Sequence, residues 1–418
     1  MLKEVIKRDG QVVPFDANKI RNAVLKAMNE VGYKQKELVD CIVYPIQKLS
    51  QERLSVEEIQ DEVETLLIQC KMVEVAKAYI RYRYKRGEER AKDAEIMKRV
   101  QEKLDGKTIE NSNANMDESS AGGKVGSVAE TILKQHALDH CMSKMARENH
   151  LSNRIYIHDL SSYSVGLHNC LTVPLDDLLA NGFKVRQTDI RPANSVNTAM
   201  QLVAVLFQVQ SLNQFGGVAA SSLDHTMVPY VRKSFLKHYL DGLKYIEEAS
   251  PVQLEYYAEK KDRSIESNFY KTNPKAYRYA MDMTEKEVHQ SVEGLYHNLN
   301  SLQSRSGCQL PFSSINYGTC TESEGRMIIK KLLEVSIEGV GKFHRTSIFP
   351  CSIFKLKKGI NREPGDPNYD LFQLALKSTA QRLYPNYSNT DWSGNAGYDP
   401  NDPQTEFSTM GKCKLQLI

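Results

Sequence analysis

The run LPFSSINYGTCTESEGRMIIKKLLEVSIEGVGKFHRTSIFPCSIF (310–354) reads as strand, helix, strand. Its first segment, LPFSSINYG (310–318), is short and ends at a turn glycine; its last, TSIFPCSIF (346–354), is a second short run bounded by polar or turn residues. Between them, at about 323–338, apolar residues recur at helical spacing, a connection far longer than a hairpin uses. Strands joined through a helix run parallel. Working outward, IYIHDL (155–160) and CLTVPL (170–175) are further strand-like runs, and helical patterns at about 194–212, 226–248 and 285–303 alternate with them. Residues 125–149 carry Val128, Ile132, Leu133, Ala137, Leu138, Met142 and Met145 on one helical face. That order predicts an α/β domain with largely parallel strands.

The first 92 or so residues form a different unit. EVIKR and QVVPF flank Asp9-Gly10, a hairpin signal. Asp16 is placed to cap a helix carrying Ile20, Val24, Ala27, Met28 and Val31, which stops near Gly32. Ser55 with Glu58 makes a capping box ahead of Ile59, Val63, Leu66 and Leu67, and a third helix runs through VEVAKAYIRYRYKRGEER (73–90). The charged continuation KDAEIMKRVQEKLDGK (92–107) reads as a solvated helix and linker, and the polar run NSNANMDESSAGGKVGS (111–127) as a boundary or loop. The expected division is 1–92, a linker at 93–122, and a second domain at 123–418.

Composition limits the function classes. A chain of 418 residues exceeds one compact core, and 41% hydrophobic with 26% charged residues is ordinary for a soluble globular protein. The 55 basic and 52 acidic residues leave +3, too little to imply a nucleic-acid surface. The start has no signal-peptide core, and nowhere do roughly 18 apolar residues run together as a membrane span needs, so a cytoplasmic protein without membrane or DNA partners is expected. Eight scattered cysteines without a CxxC predict neither a disulfide framework nor a complete metal site.

Two groups of residues carry candidate chemistry. Lys7, Arg8 and Lys19 bracket the hairpin glycine ahead of a helix N-terminus; a triphosphate needs such converging cations and free backbone donors, though an exposed basic hairpin has the same residues. Cys170, in GLHNCLTVPL (166–175), follows a polar turn at the head of a strand. A single unpaired cysteine serves as redox thiol, metal ligand or small core residue, and its neighbour His168 as loop, core or ligand.

Longer motifs choose among these. VIKRDGQVVPFDANKI (5–20), IQDEVE (59–64) and VAKAYIRYR (75–83) together resemble the ATP-cone, the regulatory module of ribonucleotide reductases. The resemblance implies that Val5, Lys7, Arg8, Lys19 and Gln60 hold ATP or dATP, Lys7 and Arg8 on the phosphates and Val5 against the base, as an activity switch. ENSNAN (110–115), YIHDL (156–160), HNCLTVPL (168–175), NQFGG (213–217), VPYVRKSF (228–235), PFSSINYGT (311–319), RTSIFP (345–350), GDPNYDLFQLALKS (365–378), RLYPNY (382–387) and TMG (409–411) resemble the anaerobic, class III ribonucleoside-triphosphate reductases.

What the second resemblance implies is an α/β barrel of ten strands, incomplete in this chain, of the glycyl-radical and ribonucleotide reductase type. A thiyl radical on a finger loop removes the 3′ hydrogen of the ribose, water leaves C2′, and a second cysteine, matching Cys170, joins the reduction with formate as final reductant. A homodimer and a radical S-adenosylmethionine activating protein are implied as partners. The family's radical cysteine directly follows Met-Gly; in this chain Gly411 is followed by Lys412 and then Cys413, so Cys413 is the candidate displaced by one position. Cys351, in IFPCSIF, is read as structural. The family's zinc site and glycyl loop have no counterpart after KCKLQLI, which reads as a truncated or frameshifted product. The competing reading is a nucleotide-sensing ATP-cone protein without catalysis. A formate-lyase-type radical enzyme would need paired finger-loop cysteines and leaves the cone unexplained.

Overall fold

The computed structural model describes residues 1–105, 120–260, 262–305, 308–392, 399 and 402–410, and the backbone of 413–415. The chain divides into Met1–Gln101 and Glu102–Ile418. ENSNAN (110–115) lies outside the described residues.

In the first unit, β1 (Glu4–Ile6) and β2 (Val12–Pro14) pair antiparallel around Gly10, whose φ of +83° is why glycine suits the turn. Asp16 caps α1 (Ala17–Glu30) by accepting from the Asn18 N–H, and Ile20, Val24, Ala27 and Met28 are buried. α2 (Asp40–Gln47) went unread because Pro45 lies inside it. β3 (Arg53–Ser55) adds to β1 in parallel, extending the hairpin to a three-stranded sheet ordered β2-β1-β3. The Ser55–Glu58 capping box is formed on α3 (Val56–Gln69), whose Ile59, Val63 and Leu67 join the core with Val24, Ile42 and Val75. α4 is one helix over Val73–Asp105. It runs on past Arg90 because the charged stretch consists largely of good helix formers, with Arg86–Glu89 and Glu95–Arg99 pairs along its surface.

The second unit begins with α5 (Ala121–His136), a π-turn (Ala137–Cys141) and α6 (Lys144–Leu151). This corrects the single helical face expected over 125–149: Ser143 caps a new helix, and of the expected stripe only Ala137 and Leu138 are buried, while Ile132 and Met145 are exposed. IYIHDL is not a strand either. Ile155 and Tyr156 are exposed, Asp159 sits at φ 54°, and α7 (Leu160–Tyr163) follows; alternation without a neighbouring strand to pair with makes no sheet.

The rest alternates as expected. β4 (Leu171–Thr172), α8 (Leu175–Asn181), a small hairpin of β5 (Phe183–Val185) and β6 (Thr188–Ile190), and α9 (Val196–Ser211) lead to β7 (Val218–Ala220). α10 (Leu223–Tyr245), α11 (Pro251–Ala258), α12 (Asn268–Lys271) and α13 (Pro274–Ser301) lead to β8 (Ser313–Tyr317). Then come α14 (Ser323–Glu338), β9 (Cys351–Leu356), α15 (Tyr369–Arg382), β10 (Asn386–Asn389), β11 (Ser408–Met410) and β12 (Cys413–Leu415). The main sheet is ordered β10-β9-β8-β7-β4 and every pairing in it is parallel. The fold is α/β; among the described residues this sheet has five strands and is open, against the ten of a closed barrel.

The two faces of the sheet differ. Val218, Ala220, Ile315, Tyr317 and Phe354 pack into the main core with Phe207, Phe235 and Leu332 from the helices. Alternate positions on the other face include Ser314, Asn316 and Lys355, all buried and polar. A buried polar face must find partners, and it finds them in residues 402–410.

Candidate functional site

The cone-like site is built on the hairpin and α3. Arg8 Nε lies 2.5 Å from Glu57 Oε1, and Arg8 Nη2 donates to Gln60 Oε1 at 3.2 Å. Lys7 Nζ donates to Gln11 Oε1 at 3.2 Å. Val5 is half-buried against the core, and Lys19 is exposed in the first turn of α1. The fold thus joins Arg8 to Gln60, while Lys7 faces its own hairpin. Two residues of this surface were not legible beforehand. Glu57 bridges Arg8 to Arg83, which also reaches Asp61 at 2.5 Å and Glu64 at 2.8 Å. The Arg83 guanidinium, with Arg8, holds the Glu57 carboxyl below the usual range. An anion binding at Arg8 would have to displace Glu57 from it.

The second site lies where β4 and β7 begin. Cys170, half-buried, sits directly before β4, with Asn169 Oδ1 at 3.4 Å from its Sγ and the Gly217 N–H donating to that sulfur at 3.4 Å. Its neighbours are locked to NQFGG through the backbone. His168 N–H donates to Asn213 O (3.0 Å), Phe215 N–H to His168 O (2.9 Å), and Gln214 Nε2 to Asn169 O (2.7 Å). His168 is held through its main chain. Arg305, which no pattern marked, donates to Phe215 O (2.8 Å) and Gly216 O (3.1 Å) and lies 4.0 Å over the Phe312 ring. Burial pushes it down to about 10, against the opposing pull of Asp159 and Cys170.

Residues 402–410 descend the polar face toward this thiol. Glu406 meets Lys355 and Lys357, Thr409 is bracketed by Asn316, and Met410 reaches Gly217, where a Cβ would lie 2.4 Å from Met410 Sδ. β12 then pairs with β11 so that Cys413 stands opposite Met410 in the backbone register. Cys351 is half-buried at the head of β9, its Sγ 3.5 Å from Tyr384 Oη. A cleft of about 760 Å³ elsewhere, lined by Lys237, His238, Glu287, His289 and Lys331, mixes both charges.

The site thus sets a thiol at the head of a parallel strand, in a chain whose N-terminal unit is a basic hairpin on a helical core. The model of the ATP cone domain matches residues 3–88, and that of the anaerobic ribonucleoside-triphosphate reductase matches residues 112–418. The chain belongs to the anaerobic ribonucleoside-triphosphate reductase family. Relatives of that name from Haemophilus influenzae (30% identical over 394 residues, 93% of this chain) and Escherichia coli (29% over 396 residues, 94%) are each covered over 52% of their own length. The chain spans about half the length of these relatives. The chain is also similar over 95 residues, at 47% identity, to a vitamin B12-dependent ribonucleoside-diphosphate reductase of Thermoplasma acidophilum, covering 21% of this chain and 12% of that protein.

Proposed function

We propose that this chain is the ATP-cone and Cys170-bearing portion of a reductase acting on ribonucleoside triphosphates, with 1–92 as regulatory domain, 93–122 as linker and 123–418 as part of the catalytic body. The observation that carries the reading is the convergence at Cys170 of the NQFGG turn, Arg305 and the segment ending at Met410. In this reading a thiyl, for which Cys413 is the candidate, removes the 3′ hydrogen, the 2′ hydroxyl leaves C2′ as water, Cys170 supplies a thiol hydrogen to C2′, and formate is the final reductant. Val5, Lys7, Arg8, Lys19 and Gln60 hold ATP or dATP, whose differential affinity for two assembly states of a homodimer sets activity. The given sequence contains no R-G-Y-x-G run, and among the described residues no three His, Cys, Asp or Glu converge as metal ligands.

Calorimetric titration of the chain with ATP and with dATP is expected to show binding, and Lys7→Ala or Arg8→Ala to weaken it about tenfold or more, the scale of one lost charge-assisted contact. No binding by the wild-type chain would sink the cone assignment. Supplied with the activating protein, S-adenosylmethionine and formate, the 418 residues alone are expected to form no deoxynucleotide; measurable product overturns that.

A further inference from the structure

Among the described residues, β11 pairs with β12 and with no strand of the five-stranded sheet, so 402–410 crosses the polar face without a ladder to hold it. Side chains hold it instead. Ser222 Oγ donates to Pro403 O at 2.9 Å, Ser221 to the Gln404 side chain, and Gln404 Nε2 to Thr226 Oγ1 at 3.1 Å. Glu406, 2% exposed, has Oε1 2.9 Å from Lys357 Nζ and Oε2 3.1 Å from Lys355 Nζ; the second contact is an ion pair without hydrogen-bond alignment. Lys355, wholly buried, donates to Ser222 Oγ at 2.9 Å. Asn316 Nδ2 donates to Thr409 O and to Ala220 O, both at 2.9 Å, while its Oδ1 accepts from the Thr409 N–H at 3.0 Å.

These grips follow one another down the sheet, from the carboxyl ends of β7 and β9 to the amino end of β7, where Met410 covers Gly217. A strand in a ladder can slip by two residues and still pair. A buried carboxylate between two ammonium groups cannot slip, because displacement would leave charges buried without partners.

We propose that Lys355 and Lys357, acting through Glu406, and Asn316, acting on Thr409, are positioning residues that fix the register of this segment and so deliver Met410 to Gly217 beside the Cys170 thiol. The link to catalysis rests on the reading of Cys170 given above; the clamp itself does not.

Peroxide footprinting of the full chain, read by peptide mass spectrometry, tests it. Met410 is 6% exposed and should oxidise slowly in the wild type, as should the core references Met200 and Met227 at 1% and 0%. Asn316→Ala is expected to speed Met410 oxidation about tenfold or more, the scale of a local opening, with Met200 and Met227 still protected. Glu406→Leu alone strands Lys355, so the paired change Lys355→Met with Glu406→Leu, which replaces the buried ions by apolar groups, is the second variant. It too should fold with Met410 exposed. Met410 protected at the wild-type level in either variant, with the references protected, overturns the clamp. Cys170 alkylation, measured in parallel samples without peroxide, should be faster in the variants whose Met410 opens; labelling that stays at the wild-type rate while Met410 opens leaves the clamp standing and removes its link to Cys170.

Discussion

Asp224→Ala should destabilise the second unit by about 5 kcal/mol, measured by urea unfolding of the full chain. Asp224 is fully buried at the start of α10, and one oxygen, Oδ2, accepts the backbone N–H groups of Gly318, Thr319 and Cys320 at 2.9, 3.0 and 2.9 Å. Three successive N–H groups on one carboxylate oxygen form an anion nest, and the first turn of α10 adds a favourable dipole. Alanine leaves all three donors buried and unpaired, each costing about 1–3 kcal/mol. Asn368 and Asn361, which donate to Gly318 O at 3.2 and 2.9 Å, cannot substitute, because they hold the carbonyl side of the same turn. Asp224→Asn keeps the shape and one acceptor, so roughly half the loss is expected. A loss below about 1 kcal/mol in the alanine variant would show that the turn after β8 finds other acceptors.

Gly216→Ala is the second large effect. A Cβ there would lie 2.5 Å from Cys170 N, 2.5 Å from Asn169 Oδ1 and 2.6 Å from Asn169 C. Two of those three atoms are backbone, so the strand head itself must move, at a cost of about 3 kcal/mol, the upper range for overpacking. The movement also parts Gly217 N–H from Cys170 Sγ, and the rate of Cys170 alkylation is expected to change with it. Gly294→Ala is the matched control: it lies inside α13 with nothing within 4 Å of its Cβ, and it should gain up to about 1 kcal/mol in helix propensity. Equal stability of the two variants would refute the close approach at Gly216.

Local signals were legible where the chemistry is local. The Asp9-Gly10 turn, the Asp16 cap and the Ser55–Glu58 box each depend on residues within four positions of one another, and each formed. β8 and β9 were readable because each lay within a short run bounded by polar or turn residues. β3, β7 and β10 were not: three or four residues carry no periodicity, and what makes them strands is a neighbour brought in by the fold. IYIHDL is the converse, a pattern of the right kind left without a partner.

The candidate site divides in the same way. Cys170 stood out in the sequence because a long motif surrounds it, and Arg8 and Gln60 because of the cone resemblance. Arg305 and Glu57 had no signal, since an isolated arginine or a helix-surface glutamate gains meaning only from what it touches.

From its sequence alone this protein's class was determined: an ATP-cone followed by an α/β body of the anaerobic reductase family, with a thiol at the head of one strand. Tertiary structure decided which face of the sheet is polar and what lies across it. FKLKKG (354–359) carries three lysines, yet Lys355 is wholly buried. The reason is that burying an ammonium is tolerable only beside an anion, and Glu406 comes from a distant part of the chain that only the folded sheet brings into reach.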